Sequence, residues 1–489
     1  MLLKFKQLVK DSFTYSIGGI AARVIGFFLL PVYTRVFTPD EYGTIELLLT
    51  FNGFLLAFLN LGISGAQTRY FYDSDQKEYR REVVSTTLYF RLLWGAVIVG
   101  ICMLAASAFN RFLFHGDVPN SYFYLIFLAA LFAVILNCLV VVYRLLLRPK
   151  PYLALTLSHS LLSAVIIILL VVYLKQGVWG YLAGYAVSIL LLIPAVVFLL
   201  KDYVGAIFSR SLIIKMLKFG IPLMPTVVSI WVMNFADRYF LTQYTTLAAV
   251  GLYAVGARFG LGIGLITGAF RLAWTPLALS VAKEPDAKAF YRNVAEMYLV
   301  GVSFLIILLT GVSKLIMIVM TQPDYYVAYT VVGILAYGAA FYGLYTISSL
   351  GIWLGEKTIF ATVAVAVSAG LNIGLNIAFI PMWGIIGAAV ATLVAYMVGN
   401  ALAFCFGERC YPIGFNYLHL GATTLVTCLG IALQLLLLNT NWSIFLQYGL
   451  ILVIWVVIGL FFALKIIGRG RIGTVVEAMK GYLQQRKGA

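Results

Sequence analysis

Long runs of mostly apolar residues, cut by short polar stretches, dominate the chain from end to end. A helix that crosses a bilayer needs about 20 such residues. Fourteen runs meet that length, at 12–36, 44–65, 83–107, 122–143, 152–173, 178–200, 219–241, 250–280, 292–319, 328–354, 358–380, 384–406, 418–438 and 444–466. The pattern predicts an all-α polytopic membrane protein with about 14 transmembrane helices. Several runs exceed what the bilayer requires, which allows tilt or bending.

With an even number of spans both termini lie on one side and the loops alternate. Of the 34 Lys and Arg, 25 fall on the side of the termini, among them Lys4, Lys6, Lys10, Arg69, Lys77, Arg80, Arg81, Arg144, Arg148, Lys150, Lys201 and Lys218. Only Arg35, Arg111 and Lys175 fall on the other side. The positive-inside rule then places the N- and C-termini in the cytoplasm of a cell whose inner membrane holds the chain. A missed or invented span would have scrambled this asymmetry.

Composition agrees: 63% of the 489 residues are hydrophobic and 11% charged, against about 45–50% and 25% in soluble domains. The formal net charge of +16 would point to nucleic acid in a soluble protein. Here it is mostly a topology signal, and no nucleic-acid partner is expected. Lys4, Lys6 and Lys10 ahead of an apolar run resemble a signal peptide, but the run is long, contains Arg23 and lacks a small-residue cleavage site, so it reads as an uncleaved first span. The five cysteines lie in or beside spans without metal-ligand spacing and read as packing residues.

The first twelve spans carry an internal repeat. Arg111 and the eleven residues after it open the fourth span much as Lys314 and its followers open the tenth. Tyr79-Arg80 matches Tyr291-Arg292, and Trp179-Gly180 matches Trp383-Gly384, at separations of 203 to 212 residues. A repeat of six spans preserves direction, so the halves are expected to be related by an axis along the membrane normal, as in transporters that rock about a central cavity. The expected organisation is an N-terminal lobe over 1–200, a cytoplasmic linker helix over 201–218, a C-terminal lobe over 219–410, two extra spans within 411–466, and a basic tail over 467–489.

Charges inside the spans carry the chemistry. Arg271 and Lys314 come near helix ends and can snorkel to the interface. Arg23, Arg91 and Arg258 lie deep, where each costs about 2.5 to 3.5 kcal/mol on insertion scales. They are expected to face a wet cavity or a partner. Ser12, Ser16, Gly19, Arg23 and Gly26 share one helical stripe, and Gly251, Ala254 and Gly262 share a face with Arg258; the competing reading is a close helix contact of the small-xxx-small kind. Asp237, beside Arg238, is expected to pair with an arginine of another helix, because neighbours on a helix point about 100° apart. Asp237, His159, Asn372 and Asn376 stand as candidates for ion coupling or cavity lining, or as structural hydrogen-bonding groups. Buried cations in excess of buried acids point to an anionic cargo, and the planar fork of arginine suits diphosphate.

Three short segments resemble a known family. Arg35-Val-Phe-Thr-Pro-Asp-Glu-Tyr-Gly43 after the first span, Gly220-Ile-Pro222 at the seventh, and Asp237-Arg238 followed by Val250-Gly-Leu-Tyr253 are similar to polysaccharide-type flippases. These belong to the superfamily that also holds the multidrug and toxic compound extrusion (MATE) transporters. The resemblance covers about the first 410 residues. It implies a MATE-like fold of two six-helix lobes with two further helices. It also implies flipping of an undecaprenyl-diphosphate-type lipid-linked oligosaccharide, for O-antigen, capsule or a related polymer, with Arg23, Arg258 and Arg91 in the cationic cavity. No cofactor is expected beyond a coupling H+ or Na+; membrane lipids and other polysaccharide assembly proteins are the expected partners. The alternatives are a peptidoglycan lipid-precursor flippase and a cation-coupled drug exporter. An enzymatic reading through the D-x-D of Asp73-Ser74-Asp75 is disfavoured by its short loop, and no phosphate-binding G-x-x-x-x-G-K-[ST] loop is present.

Overall fold

The computed structural model describes residues 18–282 and 284–467. Ser12, Ser16 and the basic tail over 468–489 lie outside the described residues. Every regular element among the described residues is helical. In chain order they are α1 (Gly18–Val36), α2 (Pro39–Asn60), α3 (Ile63–Phe71), α4 (Lys77–Leu104), α5 (Ala106–Phe114), α6 (Asn120–Leu145), α7 (Pro149–Tyr173) and α8 (Gly177–Leu199). There follow α9 (Arg210–Gly220), α10 (Met224–Tyr244), α11 (Leu247–Ser280), α12 (Ala287–Met320), α13 (Tyr329–Ser348), α14 (Ile359–Cys410), α15 (Tyr417–Leu438) and α16 (Ile444–Ile467).

Twelve helices among the described residues are long and apolar enough to cross a membrane. Two physical details reconcile that number with fourteen spans. Helix α14 is 52 residues long, which at 1.5 Å per residue would reach about 78 Å, far beyond a hydrocarbon core of about 30 Å. It breaks at Gly384, whose backbone (φ 54°, ψ −128°) only glycine adopts readily. The halves fold back on each other: a Cβ at Gly387 would sit 2.2 Å from the Phe379 carbonyl oxygen, and one at Gly399 would sit 2.3 Å from Ser368 Oγ. Helix α10, 21 residues long, is the other case. Asn234, Asp237, Arg238 and Gln243 make it too polar to stand out by hydropathy.

The chain divides between residues 251 and 252 into two compact units. The first holds α6 at its centre, packed by α2, α4 and α8. The rings of Phe51, Phe109, Phe123 and Phe127 meet there at centroid distances of 5.1 to 6.4 Å. In the second unit α13 packs between α12 and α14, while α15 and α16 attach to α12. The linker is pinned on α4, where Arg81 Nη2 donates to the Val204 carbonyl at 3.3 Å and Ser85 Oγ accepts from Gly205 N at 2.9 Å. The amphipathic α9 follows, burying Leu212, Ile213 and Met216 and exposing Lys215 and Lys218.

The division falls beyond that linker, not at its start, because α10 and the first turn of α11 are bound to α2. The Trp231 indole donates to the Thr50 carbonyl at 3.3 Å, in the space Gly53 leaves, and its ring lies tilted against Phe54 at 4.9 Å. The segment Thr38–Gly43 completes the junction. Thr38 and Glu41 form a capping box for α2, with Pro39 in its first turn, and Asp40 Oδ1 accepts from Ala248 N at 3.0 Å to cap α11. The two backbones then approach so closely that a Cβ on Gly43 would lie 1.9 Å from the Leu247 oxygen, and one on Gly251 would lie 2.1 Å from the Pro39 oxygen.

Gly43→Ala and Gly251→Ala should each destabilise the protein by about 1 to 3 kcal/mol through overpacking. Gly100→Ala, where no described atom lies within 4 Å of the added methyl, should be neutral or slightly stabilising. Melting temperatures of the purified full chain check both.

Candidate functional site

Arg23 lies on an exposed face of α1. At Gly19 and Gly26, on the same stripe, no described atom lies within 4 Å of a built Cβ. Among the described residues, nothing packs on that part of the stripe. Arg258 is half-buried on α11, and Gly262, one turn on, is likewise open. The other end of that face differs, since Gly251 is held tightly by α2.

The structure corrects the placement of Arg91 among cavity residues. Its side chain is 0% exposed and spent inside the first unit. Nη1 donates to the Val134 carbonyl at 2.8 Å, and Nη2 donates to Asn60 Oδ1 and Ser64 Oγ at 2.8 Å each. Asn60 Oδ1 also accepts from Ser64 N and Oγ. Arg91 thus braces α4 against the end of α2, the start of α3 and the middle of α6. Neutral dipoles aimed at the charge replace water there.

The Asp237 and Arg238 side chains do meet, contrary to the expectation from helix geometry. The short aspartate folds back to accept from Arg238 N at 2.9 Å and lies 3.4 Å from Arg238 Nη1. Arg238 Nε also stands 3.9 Å from Glu46 Oε2 of α2. All three side chains are buried nearly completely, so the cluster ties α10 to α2.

Asn372 and Asn376 are buried in the α14 hairpin. Asn372 donates to Thr392 Oγ1 at 3.3 Å across the fold-back, and Asn376 donates to Asn372 Oδ1 at 3.1 Å. Asn376 Oδ1 has no hydrogen-bond partner among the described residues. His159 on α7 is half-buried, and its Nε2 is likewise buried without a partner. The two carboxylates of the D-x-D segment have separate partners, Asp73 bonding Arg69 and Asp75 bonding Arg80.

Some pairings were invisible in the sequence. His419 Nδ1 lies 3.4 Å from the buried Glu296, 123 residues away. Glu408 gathers the backbone N–H groups of Ile413, Gly414 and Phe415 at 2.9 to 3.3 Å. Lys314 donates to the Leu438 carbonyl at the end of α15, at 2.6 Å. The Arg271 guanidinium carbon sits 4.4 Å from the Tyr342 ring centroid.

The family model described as polysaccharide biosynthesis protein matches residues 8–280, more than half of the chain. The chain belongs to that family. A sequence relative is Lsg locus putative protein 1 of Haemophilus influenzae, 24% identical over 288 residues, or 57% of this chain and 67% of that one. An uncharacterized membrane protein of Methanocaldococcus jannaschii is 27% identical over 207 residues, 39% of each chain. Among solved structures, the inward closed conformation of the lipid II flippase MurJ superposes with a TM-score of 0.68 at 18% identity, covering 92% of this chain and 98% of that one. An inward-facing multidrug resistance MATE family transporter gives 0.58 at 17% identity, over 84% and 99%. These likenesses show the fold that this chain shares with those structures. The first-loop motif of the family is, in this chain, the α2–α11 junction described above.

Arg91→Ala should lower the amount of folded protein and its melting temperature, each orphaned buried acceptor costing about 1 to 3 kcal/mol. Arg23→Ala, on an unpacked face, should leave both unchanged. A melting curve of each purified variant decides the contrast.

Proposed function

We propose that this chain flips a polyprenyl-diphosphate-linked oligosaccharide from the cytoplasmic to the outer leaflet of a cell membrane by alternating access. The family supports a role in polysaccharide export, and the fold supports a transporter. The observation that carries the reading is Arg23, a guanidinium on an open face of a spanning helix and flanked by glycines that pack against nothing described. Such a charge is tolerated in hydrocarbon only against water or an anion. A diphosphate offers paired oxygens at the spacing of the guanidinium fork. Arg258 is the second cation of this reading, and the basic loops orient both termini to the cytoplasm. The lipid carrier is of the undecaprenyl type and the polymer an O-antigen, a capsule or a related glycan, made with other assembly proteins.

Transport uphill needs a coupled gradient of H+ or Na+, and Asp237, His159, Asn372 and Asn376 are the residues to examine for it. A peptidoglycan lipid precursor is the second reading, favoured by the likeness to the MurJ fold. Both cargoes share the lipid diphosphate and differ in the sugar.

Deletion of the gene should leave a completed lipid-linked unit on the cytoplasmic leaflet, and mass spectrometry of that lipid separates the two readings. Arg23→Ala and Arg258→Ala should each abolish surface glycan at normal protein abundance; normal display in both would sink the diphosphate cavity. Asp237→Asn should change the dependence of transport on the ion gradient. Loss of folded protein in that variant would instead assign Asp237 to the Glu46–Arg238 cluster alone.

A further inference from the structure

Helix α11 presents two cations on different faces. Gly256, Gly260, Ile263, Thr267, Arg271 and Trp274 fall within about 80° of arc at 3.6 residues per turn, and that stripe packs on α13. A Cβ at Gly256 would lie 2.4 Å from Val331, one at Gly260 would lie 3.2 Å from Ala336 N, and the Trp274 indole donates to the Thr346 carbonyl at 3.2 Å. Arg258 lies about 140° around the helix from Arg271. The two arginines therefore serve different surroundings.

Within the stripe the Arg271 guanidinium carbon lies over the Tyr342 ring, and the Tyr342 ring is 5.9 Å from that of Tyr396 on α14. Tyr298 of α12 enters from the third side, within electrostatic reach of the guanidinium, and donates its own hydroxyl to the Ala340 carbonyl at 2.8 Å. Gly343 makes room for it, since a Cβ there would sit 2.0 Å from Tyr298 Oη. Arg271 Nε is buried without a hydrogen-bond partner, and the terminal nitrogens donate to no described group. Helices α11 and α13 contain no acidic residue. The acid of α14, Glu408, caps the following loop. Glu296 of α12 faces His419 and lies about 200° around its helix from Tyr298. Among the described residues, then, the guanidinium meets an aromatic ring and no carboxylate, and a ring offsets only part of the cost of desolvating a cation.

We propose that Arg271, with Tyr342 as its platform, is an oxyanion subsite that takes a carboxylate or phosphate group carried on the sugar part of the cargo. The proposal rests on the flippase reading but not on Arg23 or Arg258. The tyrosine rings offer apolar faces to a pyranose while the open guanidinium edge takes two coplanar oxygens. The subsite makes the transporter selective for acidic glycans over neutral ones.

Binding to the purified full-length protein in lipid nanodiscs, measured by calorimetry, tests this with four probes: glucuronate, glucose 1-phosphate, glucose and inorganic pyrophosphate. At least one acidic sugar should bind tenfold or more tightly than glucose, and the preferred one distinguishes carboxylate from phosphate. Arg271→Gln should lose at least tenfold in affinity for that sugar while pyrophosphate binding stays unchanged. Arg271→Lys keeps the charge and the ring contact, which makes it the variant to use if the glutamine protein does not accumulate. It should lose at least threefold because it lacks the planar fork. Equal binding of glucose and both acidic sugars by the wild type, or wild-type affinity in these variants, would overturn the subsite. Acidic-sugar binding without pyrophosphate binding would overturn the diphosphate cavity and leave the Arg271 subsite standing.

Discussion

A charge inside hydrocarbon must be answered by something other than water, and the arrangement of this protein follows from how each buried cation is answered. Arg91 is answered by three neutral oxygens and Arg238 by two carboxylates. Lys314 takes the carbonyl end of α15, and Arg271 takes only the face of a tyrosine. Arg23 lies on an exposed face of α1. The braces Arg91 and Arg238 spend terminal nitrogens on groups of their own unit.

The second constraint is backbone approach. A bilayer contributes no hydrophobic force between helices, so association depends on close packing and hydrogen bonds. The α2–α11 junction uses both: glycines at 43 and 251 bring the backbones together, and Asp40 caps the incoming helix. The same device folds α14 at Gly384 and packs α11 on α13 through Gly256 and Gly260. The family motif after the first span is thus intelligible as joinery, with Thr38, Pro39, Asp40, Glu41 and Gly43 each given a mechanical task.

Much of this was legible beforehand. Apolar runs set the spans, including the pair merged in α14, because Trp383-Gly384 already marked the break. An amphipathic linker helix was expected over 201–218 from the spacing of Lys201, Arg210, Lys215 and Lys218, but only Arg210–Gly220 is helical and residues 201–209 form turns on α4. Legibility failed where the answer lay on another helix. Arg91 looked like a cavity residue because Asn60, Ser64 and Val134 are distant in sequence. Arg271 was read by its distance from the helix end alone, and its contact with Tyr342 lies on another helix. Asp237 and Arg238 were expected to diverge, and a short side chain folding back on its own helix brought them together.

The sequence by itself determined the membrane class and the spans, which depend on transfer from water to hydrocarbon, a property each residue carries alone. It did not give the balance of buried charge: among the described residues Glu46, Asp237 and Glu296 are buried against Arg91 alone, the reverse of the expected excess of cations. Only the tertiary structure decided which cations are braces, where the chain divides into units, and which glycines are contacts and which are open. Those depend on the distance between groups far apart in the chain, and no periodicity along one helix encodes them.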